Sequence, residues 1–368
     1  YFFSPVDLHH IVRRNDFDYA QMVEKITIHT ENSFPDLAPD AYDIALIGVL
    51  DGRQAINNDD TALAPDIFRK QFYQLYQGDH KIRMVDLGNI KAGEKVSDTY
   101  VALKLVVSEL IKQNILPVII GGGQDLTYAQ YMAYEELEQK VDLLVIDSRF
   151  DINNNDDETI ETTSRSYLNK IFLHQPSYLF NFSNIGYQSY FVSQAHLNLM
   201  NELYFDAHRL GLFYKKISLA EPIIRNANMI SFDISAIRSS DACGNGNASP
   251  NGFYGEEACQ LCRYAGLNDK LSSIGFYEYN PSLDPHRQTA ALLAQMAWYF
   301  IDGFYSRKQD IPLQPKSQYL IYRASLKDGS QELVFIKSKK TDRWWMQVPY
   351  PTSSSKNERF HMVPCLYD

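Results

Sequence analysis

Seven short, almost wholly apolar runs recur along the chain: Ile44–Val49, Ile82–Leu87, Leu116–Ile120, Leu143–Asp147, Tyr178–Ile185, Met229–Asp233 and Ser273–Tyr277. Continuous apolar runs of this length suit strands buried on both faces. Helical periodicity lies between them. In Ser97–Asn114, Val101, Leu105, Leu110 and Ile111 fall at helical spacing, and Ser97 is placed to cap the start. Gln288–Tyr305 is a second clear helix. Strand–helix alternation predicts an α/β fold with a mainly parallel central sheet and helices on both faces.

Past Ile311-Pro312 the pattern changes to Gln318–Ala324, Glu332–Lys337 and Trp344–Val348, strand-like, with Asp328-Gly329 as a hairpin turn. The expected organisation is an N-terminal segment over 1–40, an α/β domain over 41–310 and a small β-rich extension over 311–368. Asn153–Ser166, polar and acidic, and Ser239–Gly255, rich in Gly, Asn and Ser, read as loops.

Of 368 residues, 45% are apolar and 22% charged, enough to bury a core. Lys plus Arg number 35 against 45 Asp plus Glu, a net charge of -10. That balance repels nucleic acid and anionic lipid, so neither is an expected partner. Four cysteines make no disulfide framework, and no run reaches the ~20 apolar residues of a membrane span. The expectation is a soluble, cytoplasmic protein. The start, Tyr1-Phe2-Phe3-Ser4-Pro5, reads as no signal peptide, and the missing Met leads us to expect that a preceding piece was removed.

Ligands of parallel sheets collect beyond the carboxyl ends of the strands. Four such ends carry polar groups: Gly121-Gly122-Gly123-Gln124-Asp125, Asp147-Ser148-Arg149-Phe150-Asp151, Ser231-Phe232-Asp233-Ile234-Ser235, and Glu278 before Tyr279-Asn280-Pro281. In this order they resemble the ureohydrolases, the arginase, agmatinase and formiminoglutamase family. Ile44–Asp51, Ala64-Pro65-Asp66-Ile67-Phe68-Arg69, Val85-Asp86-Leu87-Gly88-Asn89 and Pro281–Thr289 resemble further family stretches. The resemblance runs from about Asp43 to Phe304 and implies a three-layer αβα arginase-like fold.

It also implies hydrolysis of a guanidino, amidino or formimino C–N bond by water activated between two Mn²⁺ ions. Carried over residue by residue, the family's ligand set is changed. Its His after the glycines falls on Gln124, and its Asp-Ala-His-x-Asp becomes Asp147, Arg149 and Asp151. Its Asp-x-Asp becomes Asp233 and Ser235. Three acids survive and no imidazole does. The loop that carries a further family His is replaced by Asn153–Ser166, which has none. An arginine cannot ligate. Pointing inward, Arg149 would repel a divalent ion ~4 Å away by about 8 kcal/mol at an effective dielectric near 20.

The expectation drawn from this is that Arg149 pairs with Asp147, Asp151 and Asp233. The chain would then be a non-hydrolytic pseudoenzyme without the dinuclear site, binding at most one weakly held divalent ion on those acids. Its role would be to bind or scaffold, through a protein partner, a homo-oligomer or a small cationic ligand at Glu278. One alternative is an active metal-dependent hydrolase of linear amidines or guanidino compounds. Another is a structural subunit of a larger assembly. Glu278 itself is expected to pair with a neighbouring Arg or Tyr hydroxyl.

Other motifs receive structural readings. Gly121-Gly122-Gly123 lacks the Gly-Lys-Ser/Thr of a nucleotide loop and reads as a tight turn. Cys259 and Cys262 read as small buried residues on one helix face. His9, His10, His174, His196 and His208 lack ligand spacing. Of Trp344 and Trp345, one is expected to bury against the main domain and the other to stay partly exposed.

Overall fold

A computed structural model describes residues 2–11, 18, 20–153, 161–312, 316–325, 332–349 and 360–367. The central strands are β1 (Ile44–Val49), β2 (Met84–Ile90), β3 (Leu116–Ile120), β4 (Val141–Ile146), β5 (Leu179–Tyr187), β6 (Asp206–Arg209), β7 (Met229–Asp233) and β8 (Ser273–Tyr277). They run parallel in the order β2-β1-β3-β8-β7-β4-β5-β6. Two-residue strands from the N-terminal segment cover the β2 edge, Phe3–Ser4 antiparallel and Thr27–Ile28 parallel. The apolar runs thus become strands, as expected. The polar edge strand β6 has no such run and was missed.

Alternation along each strand feeds two cores. Ile44 and Leu46 of β1 face the layer of α1 (Ala64–Phe72), while Ala45, Ile47 and Val49 face that of α2 (Val96–Lys112) and α3 (Leu126–Glu136). The smaller α4 (Tyr167–Leu173) and α5 (Gln194–Glu202) lie towards the β6 edge, over a third cluster around Phe150 and Phe182. After α6 (Ala220–Asn226) come α7 (Gly255–Gly266) and α8 (Gln288–Tyr305), packed together on the α1 side. Ser97 does not cap α2: the Lys95 N–H donates to Asp98 Oδ2 at 2.9 Å, so an acid in the first turn does so. Cys259 and Cys262 are buried on α7 as expected, and burial pushes the Cys259 thiol up to about 11.

The C-terminal extension forms an antiparallel sheet of β9 (Tyr319–Ser325), β10 (Glu332–Ser338), β11 (Trp344–Pro349) and β12 (Phe360–Cys365). The Asp328-Gly329 turn falls outside the described residues. Arg225 of α6 clips this sheet to the main layer. Its guanidinium donates to the Trp344 carbonyl at 3.2 Å and lies 4.5 Å from the centre of the Trp345 ring. Trp345 is buried by this contact and Trp344 is half-buried. Among the described residues no helix is long and apolar enough to cross a membrane.

Two of the motifs meet inside the fold. Arg69 of α1 makes a two-pronged contact with Asp86 of β2, Nε to Oδ2 at 2.8 Å and Nη2 to Oδ1 at 2.9 Å. The Tyr73 hydroxyl and the Gly88 N–H donate to the same carboxylate. Both partners are essentially fully buried, so removing one leaves an uncompensated charge. Arg69→Met is expected to destabilise the protein by about 3–5 kcal/mol in urea unfolding. Arg69→Met combined with Asp86→Leu should recover most of the loss, and a double variant as unstable as the single would contradict this account.

Candidate metal centre

In the strand order, β3, β8, β7 and β4 are neighbours although the chain visits them far apart. This is where connections leave in opposite directions and a crevice opens at the carboxyl ends. Gln124 follows β3, Glu278 follows β8, Asp233 ends β7, and Asp147 and Asp151 follow β4. After β3, Gly121 and Gly122 take φ of +102° and +74°, a turn open to glycine, which brings Gln124 beneath the neighbouring strand ends.

Local backbone contacts aim the acids. Asp147 Oδ1 accepts the Arg149 N–H at 2.9 Å, and Asp233 Oδ1 accepts the Ser235 N–H at 2.6 Å. Each Oδ2 is left to point inward. Asp151 and Glu278 hold φ of +46° and +67°, a left-handed conformation uncommon outside glycine. Asp147, Asp151 and Asp233 are all buried, with a carboxylate oxygen from each within 4.8 Å of the others.

The Gln124 amide sits among them. Assigned with Nε2 inward, it donates to Asp151 Oδ2 at 3.0 Å, Asp147 Oδ2 at 3.0 Å and Asp233 Oδ2 at 3.2 Å. The Tyr167 hydroxyl then donates to its Oε1 at 3.2 Å. This assignment follows from the partners, since an oxygen facing three acceptors would repel them. Glu278 does not pair with an Arg or Tyr as expected. Its Oε2 accepts from Asn58 Nδ2 at 2.7 Å and its Oε1 from the Gln124 backbone N–H at 2.9 Å.

Burial and mutual repulsion hold these groups protonated well above the usual carboxylate range. Burial, then the charge of Asp147, pushes Asp233 up to about 8. Burial raises Asp151 to about 6, against the pull of its contact with Asp147 and of Arg165. Asp147 is raised by burial and by Asp151. Glu278 goes up to about 8 through burial and the charge of Asp233.

Arg149 does not join the acids. Its guanidinium carbon lies 3.8 Å from the centre of the Phe191 ring, and among the described residues no ion pair links it to Asp147, Asp151 or Asp233. Burial, then the charge of Arg165, lowers its pKa. The cation nearest the cluster is Arg165, with Nη1 3.8 Å from Asp151 Oδ1. The described part of the Asn153–Ser166 loop therefore matters for this residue, and a lone arginine in a polar loop carries no spacing signal in the sequence. Asn58, Tyr167 and Phe191 were also missed. Asn58 alone had a signal, as a polar residue in the turn after a buried strand. Ser235 meets Asp233 through its backbone N–H and its side chain.

The Arginase family model matches residues 42–302, most of the chain. The chain belongs to the arginase family. Formimidoylglutamase of Staphylococcus haemolyticus is 26% identical over 254 residues, covering 64% of this chain and 78% of the relative. Formimidoylglutamase of Staphylococcus aureus is 24% identical over 243 residues with the same coverage. Among solved structures, Trypanosoma cruzi formiminoglutamase with Mn2+2 aligns with a TM-score of 0.68 at 19% identity, over 75% of this chain and 97% of that one. Bacillus subtilis formimidoylglutamase aligns with a TM-score of 0.69 at 18% identity, over 82% and 99%. The structural matches carry the fold alone.

The expectation of a pseudoenzyme with a lost metal site is corrected. It rested on a guanidinium held among the aspartates, and that guanidinium lies on Phe191 instead. The three carboxylates converge as a group suited to hold a metal ion, and the family members matched are named as formimidoylglutamases. Their oxygens, with the Gln124 amide beside them, form a hard donor set that fits Mn²⁺, Mg²⁺ or Ca²⁺.

A carboxyl whose pKa is raised on folding binds more protons folded than unfolded, so stability declines as pH rises between the unfolded and folded values. Chelator-treated protein is expected to melt at progressively lower temperature from about pH 5 to pH 8. Asp233→Asn should flatten that slope, and a melting curve equally steep in the variant would exclude the cluster as its source.

Proposed function

We propose that this protein is a metal-dependent hydrolase of the C–N bond of linear amidines, with a formimino amino acid as its substrate class. The observation that carries this reading is the convergence of Asp147, Asp151 and Asp233 at the strand-order switch, with Glu278 beside them. The names of the curated relatives support it. Asp147, Asp151 and Asp233 would hold the ion. When bound, a divalent ion supplies Lewis acidity and lowers the pKa of water to make a nucleophile near neutral pH.

The chain's own groups account for the rest. Glu278, held between Asn58 and the Gln124 backbone, presents a carboxylate of fixed orientation to a cationic amidinium. Arg149 on Phe191 and Arg165 near Asp151 set positive charge beside the acids, which suits a substrate with a carboxylate at its other end. The reaction adds water across the amidine carbon and breaks its bond to the amino-acid nitrogen, giving formamide and the free amine. The proton required by the departing nitrogen comes from the water that is added, whose oxygen goes to formamide. We further propose a cytoplasmic location, supported by four free cysteines, of which Cys259 and Cys262 are buried.

Purified protein supplied with Mn²⁺ is expected to release formamide from N-formimino-glutamate and to release little urea from agmatine, which lacks a carboxylate. Asp233→Asn should lower kcat/KM by 100-fold or more. Arg149→Ala should act mainly by raising KM for the acidic substrate. No formamide at any Mn²⁺ concentration would overturn the proposal.

A further inference from the structure

We propose that the Gln124 amide is a two-position group that reports and stabilises each state of the site. Nε2 faces the three aspartates while no divalent ion is bound. A half-turn of the amide presents Oε1 as a fourth oxygen ligand when one is. This deepens the metal-dependent reading and rests on it.

The geometry admits both orientations. The inward amide atom is 3.0, 3.0 and 3.2 Å from Oδ2 of Asp151, Asp147 and Asp233. With nitrogen inward, these are hydrogen bonds to an otherwise donor-poor cluster. With oxygen inward, four oxygens meet, an arrangement that needs a cation or shared carboxyl protons between them. The amide atom's separations from the three carboxylate oxygens, 3.0 to 3.2 Å, suit oxygens that share one ion.

The outward amide atom is provided for in both cases. As oxygen it accepts from the Tyr167 hydroxyl at 3.2 Å, and as nitrogen it donates to Ser231 Oγ at 3.3 Å. Ser231 Oγ also contacts Thr127 Oγ1 at 2.7 Å, so its own proton has an acceptor in either state. The Gln124 backbone stays fixed, because its N–H is held by Glu278. A side-chain amide combines a donor and an acceptor of equal reach, which an ionised carboxylate and a hydrocarbon both lack.

The test compares wild type, Gln124→Leu and Gln124→Glu after chelator treatment at one fixed pH. Mn²⁺ binding is followed by loss of the free-ion paramagnetic resonance signal, and thermal unfolding is recorded with and without Mn²⁺. Both variants should melt below wild type when metal-free, since the aspartates lose their shared donor. Gln124→Glu should recover on adding Mn²⁺ and bind it at least 10-fold more tightly than Gln124→Leu. Gln124→Leu should bind at least 10-fold more weakly than wild type. If leucine does not fold, Gln124→Met takes its place under the same expectation. Equal Mn²⁺ affinity in wild type and the leucine or methionine variant overturns the role of the amide and leaves the hydrolase reading intact. A wild type that takes up no Mn²⁺ overturns both, and the formamide assay then fails as well.

Discussion

Four acidic side chains, Asp147, Asp151, Asp233 and Glu278, are crowded into a buried crevice where the sheet reverses its strand order. Carboxylates so placed repel one another and lack water to screen them, so something must compensate their charge. The chain supplies backbone N–H groups, one glutamine amide and one asparagine amide. Among the described residues one guanidinium, Arg165, reaches the rim at 3.8 Å from Asp151, and Asp233 and Glu278 are still pushed up to about 8. A site in this condition favours cations, because a divalent ion replaces protons that the buried acids hold only for want of a counter-charge.

The same sheet shows what a fully compensated acid looks like. Asp86 receives both prongs of Arg69, a tyrosine hydroxyl and a backbone N–H, and this pairing ties α1 to β2. Asp233, five strands later in sequence and close to the centre of the sheet, has no arginine fork and is met by Ser235 and the shared amide. The contrast separates structural from chemical use of a buried carboxylate. Where the fold needs the charge only as a fastener, it provides a complete set of donors. At the crevice it leaves lone pairs pointing at one place.

The C-terminal sheet uses a third arrangement. Arg225 is surrounded by the Trp345 ring, the carbonyls of Trp344 and Cys365, and Glu221. Its position on α6, away from the crevice, makes the extension a packed layer against the main domain, and among the described residues no side chain of the extension is in the acid cluster.

The strands β1, β3, β7 and β8 were legible in the sequence because burial on both faces writes a continuous apolar run, and the polar residues that end them mark the crevice side. The acids Asp147, Asp151, Asp233 and Glu278 were legible for the same reason. The direction of the Arg149 side chain was not. A residue two places after a strand can point into the crevice or across its rim, and the choice was made by Phe191, which follows a strand more than thirty residues later. Gln124 read as a lost ligand because a sequence names the amide without saying what surrounds it. Three carboxylates from two different strands converge on that amide only after the sheet has assembled with β7 beside β4. Local pattern therefore determined which segments became strands and which groups stood at their ends. Tertiary packing alone decided whether an arginine or an amide would meet the acids, because electrostatic pairing depends on distances between residues that the chain keeps far apart.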